Sequence, residues 1–288
     1  MKGRIPWPLK VLIKLGLGVA RVDYPRLKRL GIVEFGRMED PAFARAVFDL
    51  HVLGPMREFG LPAHGALLEL GPGDSVATGA LGRRAGFTEV QLLDAGAFAD
   101  LRAASVKRLF ASLGVDAPAL PEEASRAPLL AALDELGIHY RADGVRAFES
   151  IIAGSVGYSF SNTVLQHVIR AELPGLFGQL ARVHAPGSMG SHLVNFADHF
   201  SGGFLHQALP DWLMESNAIK RAHLYTNRFS PEQILRLFEE CGFTLERLTV
   251  DYFDAIAPAQ ETFASAAEFL ARSSQRRVLR AVYLIRKS

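Results

Sequence analysis

The stretch Leu68-Glu69-Leu70-Gly71-Pro72-Gly73-Asp74-Ser75 decides how the rest of the chain is read. Residues 66–70 are a short apolar run of the buried-strand type, closed by Gly-Pro-Gly, and residues 75–85 are small and helix-forming. Strand, glycine turn and helix in that order place unpaired backbone N–H groups beyond a strand's carboxyl end, where open α/β sheets hold ligands. Gly71 and Gly73 put no Cβ between such a ligand and the backbone. Outward from this turn, strands at 90–93, 138–141, 156–160 and 190–196 alternate with helices at 98–113, 129–136, 163–169 and 174–184. That alternation predicts a parallel sheet with right-handed crossovers. Beyond it, residues 231–241 form a helix with Ser230 as N-cap and Gly242 as its stop, and 243–251 and 278–285 alternate as strands. Residues 9–19 and 42–53 have helical spacing. Residues 1–60 are therefore expected as a helical N-terminal cap on a domain of residues 61–288, with 199–229 an insertion beside the last crossover.

Asp94 stands at the end of the second strand, where a carboxylate accepts both hydroxyls of a ribose. A dinucleotide fold would carry Gly-x-Gly-x-x-Gly, and the last position here is Val76. A pyrophosphate is also repelled by Glu69 and Asp74, whereas a sulfonium with an amino-acid tail brings positive charge to them. An ordinary Gly-Pro turn is the plainer alternative.

The composition excludes little. At 288 residues, 49% hydrophobic and 22% charged, the chain has ordinary globular make-up, and its net charge of +2 gives no pull toward nucleic acid. The basic residues cluster at the start: Lys2, Arg4, Lys10, Lys14, Arg21, Arg26, Lys28 and Arg29 face the single acid Asp23. Two readings fit this segment, an amphipathic cap helix and a basic helix lying on an anionic membrane surface. Its apolar run is broken by Pro6, Pro8, Lys10 and Lys14, short of a spanning helix, so a cytoplasmic protein is expected. The lone Cys241 rules out an internal disulfide and a cysteine-based zinc site. His184, His192, His199 and His206 match no compact ligand spacing, so no bound metal is expected.

The segment Leu68–Ser75 resembles the first motif of the class I S-adenosylmethionine-dependent methyltransferases. Phe160-Ser161-Asn162-Thr163-Val164-Leu165-Gln166-His167-Val168 is similar to that family's fourth-strand motif, and Leu180-Ala181-Arg182-Val183-His184-Ala185-Pro186-Gly187 to the helix and turn before its fifth strand. Ser191-His192, Asp198-His199, Tyr225-Thr226-Asn227-Arg228 and Cys241-Gly242-Phe243 resemble a subgroup from bacterial polysaccharide and natural-product clusters. The resemblance spans roughly residues 65–250 and implies a doubly wound, Rossmann-like, mostly parallel sheet with an antiparallel last strand. It implies S-adenosyl-L-methionine as cofactor. Glu69, Gly71, Gly73 and Asp74 would line its methionine and ribose part, and Asp94 would take the ribose hydroxyls. Asp143 and Gly144 would lie near the adenine, with Ser161 and Asn162 under the methionine. Two departures are Ser155-Val156-Gly157, where many relatives carry an Asp, and Gln166 in place of a Glu.

Methyl transfer is an in-line displacement, so alignment supplies much of the acceleration, on the order of 7–11 kcal/mol. A hydroxyl acceptor also needs a base. His199, oriented by Asp198 after the fifth strand, is the first candidate, and His167 the second. Trp212, Tyr225, Asn227 and Arg228 of the insertion form either a wall for a small-molecule or saccharide acceptor, or a dimer or cap interface. The expected activity is O-methylation. The alternatives are a non-catalytic binding module on the same fold and a nicotinamide-dependent oxidoreductase, the latter opposed by Val76 and by the lack of a Tyr-x-x-x-Lys pair.

Overall fold

Ala66–Leu70 forms β1, buried along its whole length, and its alternate side chains feed two separate cores. Leu68 and Leu70 face one core and Leu67 the other, as the period of two in a strand requires. The computed structural model describes residues 7–19, 36–119, 121–198, 201–253, 260–272 and 277–288. Around β1 lie β2 (Glu89–Leu93), β3 (Ile138–Arg141), β4 (Val156–Asn162), β5 (His184–Asn195), β6 (Phe243–Tyr252), β7 (Gln260–Phe263) and β8 (Val278–Lys287). They make one sheet in the order β3-β2-β1-β4-β5-β8-β6-β7. The pairs from β3 to β5 are parallel, and β8 runs antiparallel to both β5 and β6. This is the doubly wound, mostly parallel sheet with an antiparallel last strand that the sequence leads one to expect. The order reverses between β1 and β4, which places a crevice beyond their carboxyl ends.

The helices, numbered in chain order, are α1 (Trp7–Val19), α2 (Pro41–Phe48), α3 (Gly54–Phe59), α4 (Ala77–Ala85), α5 (Ala103–Leu113), α6 (Arg126–Glu135), α7 (Leu173–Val183), α8 (Leu205–Ala208), α9 (Asp211–Met214), α10 (Asn217–Arg221), α11 (Pro231–Glu240) and α12 (Ala266–Arg272). Residues of α7, α11 and α12 pack on the Leu68 face, and residues of α2, α4, α5 and α6 on the Leu67 face. The segment before β1 is thus built into the sheet's own core: Met38, Ala44, Val47, Phe48, Val52 and Met56 are buried with Leu67, Val76 and Tyr158. Helix α1 lies apart, with Val11 and Leu15 against the Met214, Ile219 and Leu224 cluster of the insertion. No helix among the described residues is long and apolar enough to cross a membrane.

Four departures from the sequence expectation have local causes. The helix expected at 42–53 is interrupted: α2 gives way to a π-helical turn at Asp49–Leu53, closed by Gly54 N–H donating to the Asp49 carbonyl. A Cβ on Gly54 would stand 2.8 Å from that carbonyl oxygen, so the turn needs the glycine. The helix expected at 163–169 shrinks to one 3-10 turn, Leu165–His167: Thr163, with a left-handed φ of 60°, keeps it from starting earlier, and Val168 ends it in extended backbone. β5 starts at His184 rather than 190: a register shift opposite Gly157 makes a bulge, spanned by a 2.7 Å hydrogen bond between His184 Nδ1 and Ser188 Oγ. The strand β7 and helix α12 carry no clear period in the sequence and were not expected.

Helix α11 starts as its sequence suggests. Ser230 Oγ accepts from Gln233 N–H while Gln233 Oε1 accepts from Ser230 N–H, a complete capping box. Ser230→Ala is expected to cost about 1 kcal/mol, read as a lower denaturant midpoint with unchanged slope.

Candidate functional site

Glu69 is the penultimate residue of β1 and is 2% exposed. It pairs with Phe160 on β4, which in turn pairs with Ser191 on β5, so the three lie side by side across the sheet. Alternation places them on the Leu67 face. Burial drives the Glu69 carboxyl up to about 8, a nearby Thr78 hydroxyl works against the shift, and the charge of Asp94 adds to it. Glu69 Oε2 and Thr78 Oγ1 are both buried without a hydrogen-bond partner. A buried acid lacking a countercharge destabilises a fold unless something cationic arrives to meet it.

The loop after Glu69 is fixed by its neighbours. Gly71 (φ 68°) and Gly73 (φ 71°) both occupy left-handed backbone. Gly71 N–H donates to the Leu93 carbonyl at 2.7 Å, and Gly73 N–H donates to Asp94 Oδ2 at 3.1 Å. Gly71 also admits the Val164 side chain, whose Cγ2 would lie 2.4 Å from an added Cβ. Its missing side chain therefore serves internal packing. Asp94 accepts a second amide, Ala95 N–H, at 2.8 Å, and its backbone joins the ends of β2 and β3 through Arg141 and Gly144. Burial raises the Asp94 carboxyl to about 6, against the pull of the amides of Ala95, Gly73 and Gly96. Each oxygen accepts one of these loop amides and keeps lone pairs for further donors.

The other expected cofactor residues divide. Asp74 turns from the crevice: its Oδ1 accepts Met38 N–H at 3.0 Å, fastening the N-terminal segment to the loop. Asp143 is exposed and precedes the 3-10 turn Gly144–Ser150. Ser161 points to the Leu68 face and bonds His192 Nδ1 at 2.9 Å. It heads a buried series in which His192 Nε2 meets Ser159 Oγ at 3.3 Å and Ser159 Oγ meets His184 Nε2 at 2.7 Å. Asn162 lies on the opposite face, beside the His51 ring.

On the acceptor side, the polar atoms hold the fold together. Asp198 accepts Ser201 N–H at 2.5 Å and His206 N–H at 3.1 Å, and its Oδ2 lies 3.5 Å from His206 Nδ1. Burial opposes its ionisation, but these amides outweigh burial and lower it. The imidazole that Asp198 faces is His206, while His199 lies outside the described residues. His167 Nδ1 is 3.0 Å from the Tyr225 carbonyl, and Tyr225 Oη accepts Arg170 N–H and donates to Glu215. Asn227 Nδ2 donates to the carbonyls of Leu165 and Val168, and Arg228 binds the Leu209 carbonyl and Asp211. Trp212 is 75% exposed. These contacts clamp the insertion onto the turn after β4. Among the described residues no group of His, Cys, Asp and Glu is placed to hold a metal ion. A cleft lined by Glu39, Asp74, Asp100, Arg102 and Arg108 borders the loop at Asp74 and Ser75 and includes neither Glu69 nor Asp94.

Sequence reasoning passed over His51. A lone His in an apolar helical stretch reads as core, and only the tertiary fold carries it over Phe160 (ring centroids 5.6 Å apart, planes 23° apart).

No protein-family model matches the sequence, and no curated protein matches it. Among solved structures, the chain is similar to an S-adenosylmethionine-dependent methyltransferase from Mesorhizobium loti: 14% identity, 81% of this chain and 96% of that one, TM-score 0.43. It is also similar to phosphoethanolamine N-methyltransferase 2 of Haemonchus contortus, at 15% identity over 82% of this chain and 52% of that one, TM-score 0.43. A third is geranyl diphosphate C-methyltransferase from Streptomyces coelicolor, at 14% identity over 78% of this chain and 73% of that one, TM-score 0.41. Likenesses of this size assign no residue of this chain a role.

Proposed function

We propose that the chain is an S-adenosylmethionine-dependent methyltransferase acting on a small-molecule or saccharide acceptor. The observation that carries this is Glu69: a buried carboxyl with no countercharge and an unsatisfied Oε2 near the end of β1, beside a glycine loop that opens a helix. A cationic ligand would draw this carboxyl into its ionised form, and an ionised Glu69 would repel a pyrophosphate. The residues present fit the cofactor. Glu69 and the 71–73 loop would hold its amino-acid end, and Asp94, with lone pairs to spare, its ribose hydroxyls. When bound, the group supplies a methyl carbon activated by a sulfonium. The chain's own part is to align the acceptor and keep water out. The acceptor atom in this reading is an oxygen, supported by the neutral imidazoles that burial maintains beside the crevice. Asp198 already binds Ser201 and His206, so any part it plays in orienting a base competes with those bonds. For His199 as the base, His199→Ala is expected to lose most turnover while keeping S-adenosylhomocysteine affinity. The nicotinamide alternative gains nothing, because Val76 is fully buried where a third glycine would stand.

The test is a pair of thermal melts. S-adenosylhomocysteine at a hundred times its Kd is expected to raise the midpoint by roughly 5–10 °C, while NAD leaves it unmoved. Stabilisation by NAD alone would sink the proposal.

A further inference from the structure

His51 sits in the π-helical turn of the N-terminal segment and is 0% exposed. Three contacts fix its position. Its ring stacks on Phe160, its Nδ1 lies 2.9 Å from Ser191 Oγ, and its backbone carbonyl accepts the Tyr158 hydroxyl at 2.7 Å. Asn162, at the carboxyl end of β4, flanks the same ring. Its Nε2 is buried with no geometric hydrogen-bond partner. So at one level of one sheet face, Glu69 Oε2 and Thr78 Oγ1 are unsatisfied at one end and His51 Nε2 at the other, with Phe160 between. Glu69 and Ser191 are two strand spacings apart, about 10 Å. That separation suits one ligand at Glu69 and a second beneath His51.

We propose that His51 Nε2 is the hydrogen-bond acceptor for the methyl-accepting molecule, which presents a neutral hydroxyl or amine there and enters beneath the π turn. This rests on the function proposed above and adds to it where the acceptor binds and of what class it is. The surroundings decide the class. Phe160, Tyr158, Val47, Phe48 and Val52 make this an apolar region, and burial keeps the imidazole uncharged, with a pKa near 4. A carboxylate or phosphate would find no countercharge on the ring, whereas a neutral donor loses little on entering. In the tautomer whose Nδ1–H donates to Ser191 Oγ, the Nε2 lone pair is left for the ligand, with the Asn162 side chain beside it. The π turn is also where the helical hydrogen-bond ladder is already interrupted, so outward movement breaks fewer bonds there than in α2 or α3.

The probes are phenol and benzoate, a neutral and an anionic oxygen on the same ring, titrated into protein labelled with ¹⁵N-histidine and loaded with S-adenosylhomocysteine. Phenol is expected to shift the His51 Nε2 resonance and benzoate to leave it in place. H51N, which keeps a polar atom facing Ser191, is expected to lose about ten-fold in phenol affinity. H51Q, which keeps one at the Nε2 position, is expected to stay within about three-fold. A purely structural His51 gives the reverse order. The proposal is overturned by an unmoved Nε2, by benzoate binding as well as phenol, or by H51N binding phenol as wild type does. The wild-type spectrum decides even where a variant folds poorly. Failure of S-adenosylhomocysteine to bind would remove the cofactor reading alone, since phenol titrated into the unloaded protein still tests His51.

Discussion

Glu69→Gln is expected to lower affinity for S-adenosylmethionine on the order of a hundred-fold, nearly 3 kcal/mol, while the protein stays folded. The size follows from removing one charge of a buried pair, which commonly costs 3–5 kcal/mol, less what the neutral amide retains. The same residue sets a pH dependence. Burial holds the folded-state carboxyl at about 8 against an ordinary 4.5, so between those values the folded, unliganded protein binds a proton that the unfolded chain lacks. Stability of the unliganded protein therefore falls as pH rises from 4.5 to about 8 and levels off above. A cationic ligand reverses the preference by favouring the ionised carboxyl. Binding near pH 7 should thus release a proton, seen as a calorimetric enthalpy that varies with the buffer's ionisation enthalpy. Affinity should rise toward pH 8 and then flatten. In E69Q both the release and the pH slope disappear. Binding by E69Q within three-fold of wild type would refute the assignment.

The largest stability effect is expected at Gly157. A Cβ there would stand 2.0 Å from the His64 carbonyl oxygen, and Gly65 on the facing strand has its own would-be Cβ 2.7 Å from the Ser155 carbonyl. Two backbones press together where β4 shifts register against β1 and β5. Neither can yield, because both belong to the centre of the sheet. Gly157→Ala should cost about 3 kcal/mol or leave the protein unfolded, beyond the usual range of overpacking. The contrast is Gly178→Ala on exposed α7, where an added Cβ meets nothing within 4 Å. That change should stabilise by roughly 0.5–1 kcal/mol, since alanine outranks glycine in a helix. Equal denaturant midpoints for the two variants would contradict this account of β4.

Gly157 also shows where sequence reading stops. It belongs to the stretch Ser155-Val156-Gly157, and nothing in the string says that the carbonyl of His64, far earlier in the chain, occupies its Cβ space. β1 and β3 are legible to the residue, because apolar runs are bounded there by glycines. The Glu69–Gly73 turn and Asp94 are legible for the same reason. The partners of those residues are not. Gly71 looks like a space for a ligand and is filled by Val164. Tyr225, Asn227 and Arg228 have the chemistry of an acceptor wall, yet Tyr225 and Asn227 reach backbone groups after β4 and Arg228 reaches the Leu209 carbonyl and Asp211 within the insertion. The turn after β4 is short because Thr163 takes a left-handed backbone before it and Val168 an extended one after it, which helical periodicity does not reveal. His51 was hidden by its setting, since a π turn is a property of Gly54 and the packing above it, not of apolar spacing.

The N-terminal segment has a further consequence for how the chain reaches its native state. Its ties are among the most distant in the molecule: His51 bonds the Tyr158 hydroxyl 107 residues on and Ser191 140 residues on. During synthesis Val47 and Phe48 can meet Leu67, Val76 and helix α4 early, but the π turn that carries His51 finds its partners on β4 and β5 only later. Closing loops of that length delays the reward of each contact, so the π turn docks late and the half-made chain carries His51 and Val52 uncovered. Nascent chains released before residue 191 should accordingly be those that most depend on a chaperone.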